Sequence, residues 1–135
     1  GHRYLAVAQP IRQGAIPGSA VDSFIGDDKS ADQRKSRFLL AGLAALGRLD
    51  QGDVKTLSGQ LGVNFAHSTR WSQAIDLAGQ YRNPALVALL AGLGMQGSGW
   101  DKMTARHLFH LVRALDQAGL NAEARMIAAE AVARG

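Results

Sequence analysis

The stretch from Pro84 to Met95 constrains the fold more than any other part of the sequence. No charged residue lies between Arg82 and Asp101, and apolar side chains fall on every side of the stretch, whichever way it is wound. A helix that is apolar all round has to be covered on all sides. We therefore expect a buried central helix in contact with at least three other helices. The side chains expected to be covered are Leu86, Leu89, Leu90 and Leu93.

Both ends of this predicted helix carry residues that favour helix boundaries. Asn83 is a good N-cap, and Pro84 has the fixed φ that suits the first helical position. Glycines at 92, 94, 97 and 99 mark the C-terminal end of the predicted helix. The segment has about a dozen residues, whereas a helix that spans a bilayer needs roughly 20. The sequence therefore predicts a core helix of a soluble helical domain.

Composition excludes several classes of site. The chain has 135 residues, enough for one domain with a real core, and it contains no cysteine. Disulfides, thiolate metal sites and a cysteine nucleophile are therefore excluded, while both cytoplasm and periplasm stay open. A chain dominated by Ala and Leu with only two Glu is typical of GC-rich bacterial genomes, so we expect a bacterial protein, and we favour the cytoplasm over the periplasm. The net charge of +4 is spread along the chain, which favours a solvated arginine-rich surface over a clustered nucleic-acid footprint.

Residues 1–30 differ in character from the rest. They hold two of the three prolines and several glycines, and their only β-like run is Tyr4 to Val7. Proline and glycine disrupt helices, so this many of them in 30 residues disfavours a long helix. We expect an extended arm or linker that lies on a helical domain formed by residues 31–135. Because the chain starts at Gly1 without an initiator Met, we also expect it to be a piece of a longer bacterial protein.

From residue 31 onward the apolar spacing is helical, and glycine, proline and capping residues divide it into about six segments. Short connections between consecutive helices make them antiparallel neighbours. The predicted fold is therefore all-α, with stacked helical hairpins arranged as a bundle or a short solenoid. The expected segments are 32–47, 50–62, 69–81, 84–95, the helix around Leu108 to Leu115, and a last helix capped by Asn121.

One stretch resembles the helix-turn-helix unit of DNA-binding proteins. Ser58, Gly62 and Val63 match the small residue, the turn glycine and the following apolar residue of that pattern. Phe65 and Ser68 depart from it, because their positions are usually polar and apolar, respectively. The resemblance implies a nucleic-acid-binding domain around residues 54–82. Its base- or phosphate-facing residues would be Asn64, His67, Thr69 and Arg70. The alternative is a pair of antiparallel helices joined at a glycine C-cap, with Phe65 turned inward.

No pattern of catalytic residues or metal ligands is complete. His107 and His110 are spaced i and i+3, but no third ligand is marked, although Glu123 and Glu130 follow on the next helix. The serines lack a Gly-x-Ser-x-Gly elbow, and the glycines of 92–99 lack the Lys-Ser/Thr ending of a phosphate loop. We therefore expect no cofactor, no metal and no catalytic site.

The sequence thus favours a non-catalytic protein-interaction or structural module, with a nucleic-acid-binding domain as the alternative. The expected partner is another protein or another domain of the same polypeptide. Polar residues of the helix around Leu108 and one large aromatic beside the glycine-rich loop are the candidate contacts. These residues are Trp100, Arg106, His110 and Arg113.

Overall fold

The computed structural model describes residues 14–95 and 100–135, and these residues form seven α-helices and two short 3₁₀ turns, with no strand among them. The all-α prediction is confirmed, and the predicted number of helices is close. None of the described helices is long and apolar enough to cross a membrane. The helices are α1 Gly18–Asp27, α2 Arg34–Ala45, α3 Gln51–Leu61, α4 Arg70–Gln80, α5 Pro84–Met95, α6 Ala105–Gln117 and α7 Asn121–Arg134.

Helices α2 and α6 form the centre of the molecule. They pack against each other; α2 also contacts α1, α3 and α7, and α6 also contacts α4, α5 and α7. Their inward residues recur at helical spacing, which places them on one face of each helix. The fully buried large side chains of these two helices are Phe38, Leu39, Leu40, Leu43, Leu108, Leu111 and Val112. The apolar core is therefore built on α2 and α6, not on α5.

Side-chain caps explain where several helices begin. The Asp50 carboxylate accepts a hydrogen bond from the Gly52 amide, and the Asn83 side chain accepts one from the Leu86 amide, as the sequence predicts for Asn83. Thr69 and Thr104 cap α4 and α6 in the same way. Asn121 is the exception. It is the first residue of α7 rather than its cap, and its side-chain amide donates backwards to Asp116.

The expectation of an extended arm over 1–30 is wrong for residues 18–27, which form α1; residues 1–13 lie outside the described residues. Pro17 precedes this helix as its N-cap instead of interrupting it. Val21, Phe24 and Ile25 share the i, i+3, i+4 spacing of a helix face, and all three are buried. Because α1 packs on α2 and α3, this segment belongs to the helical domain.

Candidate functional site

Helix α5 is not the buried centre that its composition predicts. Only Val87 and Ala91 are buried, whereas Leu86, Leu89 and Leu93 are 40%, 59% and 53% exposed. The helix lies at the edge of the molecule, with α4 and α6 as its main neighbours. An all-apolar helix has no polar face to show which side turns outward, so the pattern could not reveal this position.

Helix α4 and the residue that follows it also carry exposed apolar side chains. Leu77 is 51% exposed and Tyr81, which follows the last turn of α4, is 77% exposed. We call the five residues Leu77, Tyr81, Leu86, Leu89 and Leu93 the apolar hairpin face. Single exposed apolar residues are ordinary, but a concentration on one helical hairpin is typical of an interaction surface. None of these five side chains is charged, and the exposed Arg82 directly follows Tyr81.

Trp71 fixes α5 in place beneath this face. Its indole Nε1–H donates to the Leu90 carbonyl at 2.7 Å, and its ring stacks on the His107 imidazole with centroids 4.1 Å apart. Gly94 allows the close approach, since a Cβ built there would lie 2.5 Å from the indole. One aromatic side chain thus joins α4, α5 and α6.

A partly buried polar cluster connects α4 and α6. His110 is only 4% exposed, and its Nδ1 is 2.9 Å from Asp76 Oδ1. Arg113 forms an ion pair with the other Asp76 oxygen at 3.0 Å, and its guanidinium lies over the Phe109 ring. An aspartate that orients a histidine is a common element of general-base sites. Here the His110 Nε2 is enclosed without a hydrogen-bond partner, while His110, Asp76 and Arg113 line a cavity of about 440 Å³.

Of the four predicted partner contacts, His110 is buried and the other three are partly buried. The interpretation of His110 as a solvent-facing residue is wrong, because Asp76 gives its ring a partner in the interior. Arg113 belongs to the same cluster. Trp100 and Arg106 are partly buried, and the Trp100 carbonyl accepts a hydrogen bond from Arg34. Sequence reasoning missed Leu77 and Leu89 as exposed residues, because apolar character alone does not distinguish a core face from a binding face.

The segment that resembles a helix-turn-helix has a different geometry. Residues 62–69 separate α3 from α4, whereas the turn of that motif has about three or four residues. Gly62 ends α3 in the left-handed region with φ 69°, and Phe65 is buried and stacks on Phe109. These observations match the hairpin interpretation.

The four nucleic-acid candidates accordingly fall in this connection and at the start of α4. The Asn64 side chain accepts a hydrogen bond from the Ala66 amide, and Thr69 caps α4. His67 and Arg70 are exposed. They do not stand on a helix that follows a tight turn, as a recognition helix would.

His107 should make stability depend on pH. Burial, and the nearby His110, lower the pKa of His107 below its ordinary value of 6.5. The unfolded chain therefore takes up a proton first, so this contribution to stability is complete above pH 6.5 and is lost as the pH falls towards the folded-state pKa. We expect a lower free energy of unfolding by urea at pH 5 than at pH 7.5. The difference should shrink in His107→Phe and persist in the exposed-site control His67→Gln; an equal difference in all three proteins contradicts this assignment.

Among the described residues, no group of three or more His, Asp or Glu side chains is placed to hold a metal ion. The chain matches no family model, no curated protein and no solved structure.

Proposed function

We propose that this chain is a non-catalytic protein-interaction module of a larger bacterial protein, and that it binds through the apolar hairpin face. The exposure of Leu77, Tyr81, Leu86, Leu89 and Leu93 carries the proposal. Covering such side chains is favourable by about 25 cal/mol per Å² of apolar surface removed from water. An uncharged face contributes this energy without the desolvation of a charged group.

The occupant we propose is a second copy of the same hairpin. Leu86, Leu89 and Leu93 have the i, i+3, i+7 spacing of a helix–helix seam, and the small residues Ala85 and Gly92 lie exposed beside them. One surface thus supplies both large side chains and the spaces between them, which is what a two-fold contact requires. The chain has a net charge of +4, and a contact through uncharged side chains avoids placing like charges directly against each other.

Sedimentation velocity over about 1 to 200 µM tests the proposal, since a modest apolar contact between proteins is expected in the micromolar range. The wild-type chain should shift from monomer to dimer with concentration, whereas Leu89→Glu should stay monomeric, because it places a charge within the contact. Met126→Glu is the matched control: Met126 is 69% exposed, but it lies on α7 outside the apolar hairpin face. It should dimerise like the wild type.

A wild-type chain that remains monomeric at the highest concentration would overturn the proposed occupant. Equal loss of association in Leu89→Glu and Met126→Glu would also overturn it, because association would then depend on general surface hydrophobicity. Circular dichroism of each variant verifies that its helices are intact.

A further inference from the structure

A second feature, separate from the apolar hairpin face, lies where α2 and α6 begin. A cavity of about 510 Å³ opens between their first turns and the loop that follows α3. Three arginines from distant parts of the sequence line it: Arg34 and Arg37 from α2, and Arg106 from α6. Phe38, Val63 and Met103 supply apolar wall.

Among the side chains that the structure describes, these arginines have no counterion. None of the described carboxylates forms an ion pair with any of the three, whereas Arg113 and Arg134 both have such partners. Asp32 is the only acidic residue among the described lining residues, so their three positive charges and one negative charge leave a formal net charge of +2. Like charges gathered around one space repel each other, and an anion placed among them removes that repulsion.

Two of the arginines have features suited to a ligand. Arg34 is held in position, since it donates to the Trp100 carbonyl and its guanidinium lies 4.5 Å from the centroid of the Phe38 ring. Arg37 has an enclosed Nε without a hydrogen-bond partner. A bound oxyanion near Arg37 could accept that hydrogen bond and so satisfy a buried donor.

The start of α6 adds backbone donors. Thr104 accepts a hydrogen bond from the His107 amide, while Ala105 and Arg106 occupy the first two helical positions and line the cavity. Amides at these positions precede the intrahelical hydrogen-bond ladder and carry the positive end of the helix dipole. The start of α2 differs, because Ser30 and Asp28 already accept hydrogen bonds from the Lys35 and Ser36 amides. Helix α2 therefore contributes arginines and α6 contributes both an arginine and amides.

We infer that this cavity binds a small phosphate monoester, with the phosphate between Arg34, Arg37 and Arg106 and the organic group against the apolar wall. A phosphate monoester carries a charge of about −1.5 to −2 at neutral pH, which matches the net charge of the lining. Planar arginine side chains donate paired hydrogen bonds to phosphate oxygens. A cavity of about 510 Å³ exceeds the space that a bare phosphate fills, so the organic group completes the fit.

Calorimetric titration at constant ionic strength and pH 7.5 tests this inference with phenyl phosphate, inorganic phosphate and benzoate. Phenyl phosphate should bind tightest. Inorganic phosphate lacks the apolar group, and benzoate carries a single charge. Lowering the pH to 5 should weaken the binding of phenyl phosphate, because its second ionisation has a pKa of about 6. Benzoate binding as tight as that of phenyl phosphate would overturn the assignment to phosphate, and equal binding of inorganic phosphate would overturn the assignment to an ester.

Matched arginine variants test the location. Arg37→Gln and Arg106→Gln should each weaken phenyl phosphate binding by at least about tenfold, since a hydrogen bond between charged partners is lost. Arg106→Lys should recover part of the loss. Arg70→Gln removes the same charge from an exposed position outside the cavity and should leave binding unchanged. Chemical shifts of the Ala105 and Arg106 amides should move on titration; absent binding, or equal weakening in Arg70→Gln, would overturn the site. Monomeric behaviour in sedimentation would leave this result unaffected.

Discussion

Leu111→Ala should lower the free energy of unfolding by about 2 to 5 kcal/mol, the range measured for large-to-small changes in protein cores. Leu111 is fully buried on α6, and α6 is enclosed by α2, α4, α5 and α7. Removing its side chain leaves a cavity that four neighbouring helices cannot all move to fill. Urea unfolding followed by circular dichroism gives the value.

Leu93→Ala is the matched control on α5. Leu93 is 53% exposed, so the same change should alter the free energy of unfolding by less than about 1 kcal/mol. The comparison is made at low micromolar concentration, where the proposed dimer is dissociated. A loss from Leu93→Ala as large as that from Leu111→Ala would show that α5 is covered within the monomer, which contradicts the described packing.

Gly79→Val should destabilise the fold by about 1 to 3 kcal/mol through overpacking between α4 and α6. A Cβ built at Gly79 would lie 2.9 Å from the Ala114 Cα and 3.2 Å from its Cβ. The nearest of these atoms belongs to the backbone, so relief requires the two helices to separate. That separation also pulls apart Asp76 and His110, which connect the same helices.

Gly59→Val provides the control for Gly79→Val. Gly59 lies in α3, is exposed, and has no atom within 4 Å of a built Cβ. Its replacement should change the free energy of unfolding by no more than about 0.5 kcal/mol, the usual range for surface changes. Equal urea midpoints for the two valine variants would contradict the close approach of α4 and α6.

Sequence patterns predicted the helices better than their positions. Asp50, Thr69 and Gly62 mark helix ends by local hydrogen bonding and backbone conformation, so neighbouring residues are enough to recognise them. The burial of α5 depends instead on which helices reach it. The composition of α5 indicates that its apolar surface is buried in a contact, but it does not show whether that contact lies within the same chain or with another one.

The candidate sites depend even more on the assembled fold. Asp76 and His110 are 34 positions apart, so the sequence does not show that they pair. The packing of α4 against α6 brings the two side chains together. Arg34 and Arg106 are 72 positions apart, and the packing of the two central helices brings both to one cavity. Neither set forms a short sequence motif, because its residues come from different helices and are brought together by the fold.

The stacking of Trp71 on His107 has a practical consequence, because it gives the molecule its own optical reporter. The chain has two tryptophans, so Trp100→Phe leaves Trp71 as the single strong fluorophore. Its indole touches the His107 ring and donates to the Leu90 carbonyl, and both contacts end if α5 swings away. Emission from this one residue therefore follows the docking of the edge helix in real time, without a dye attached to the surface it exposes.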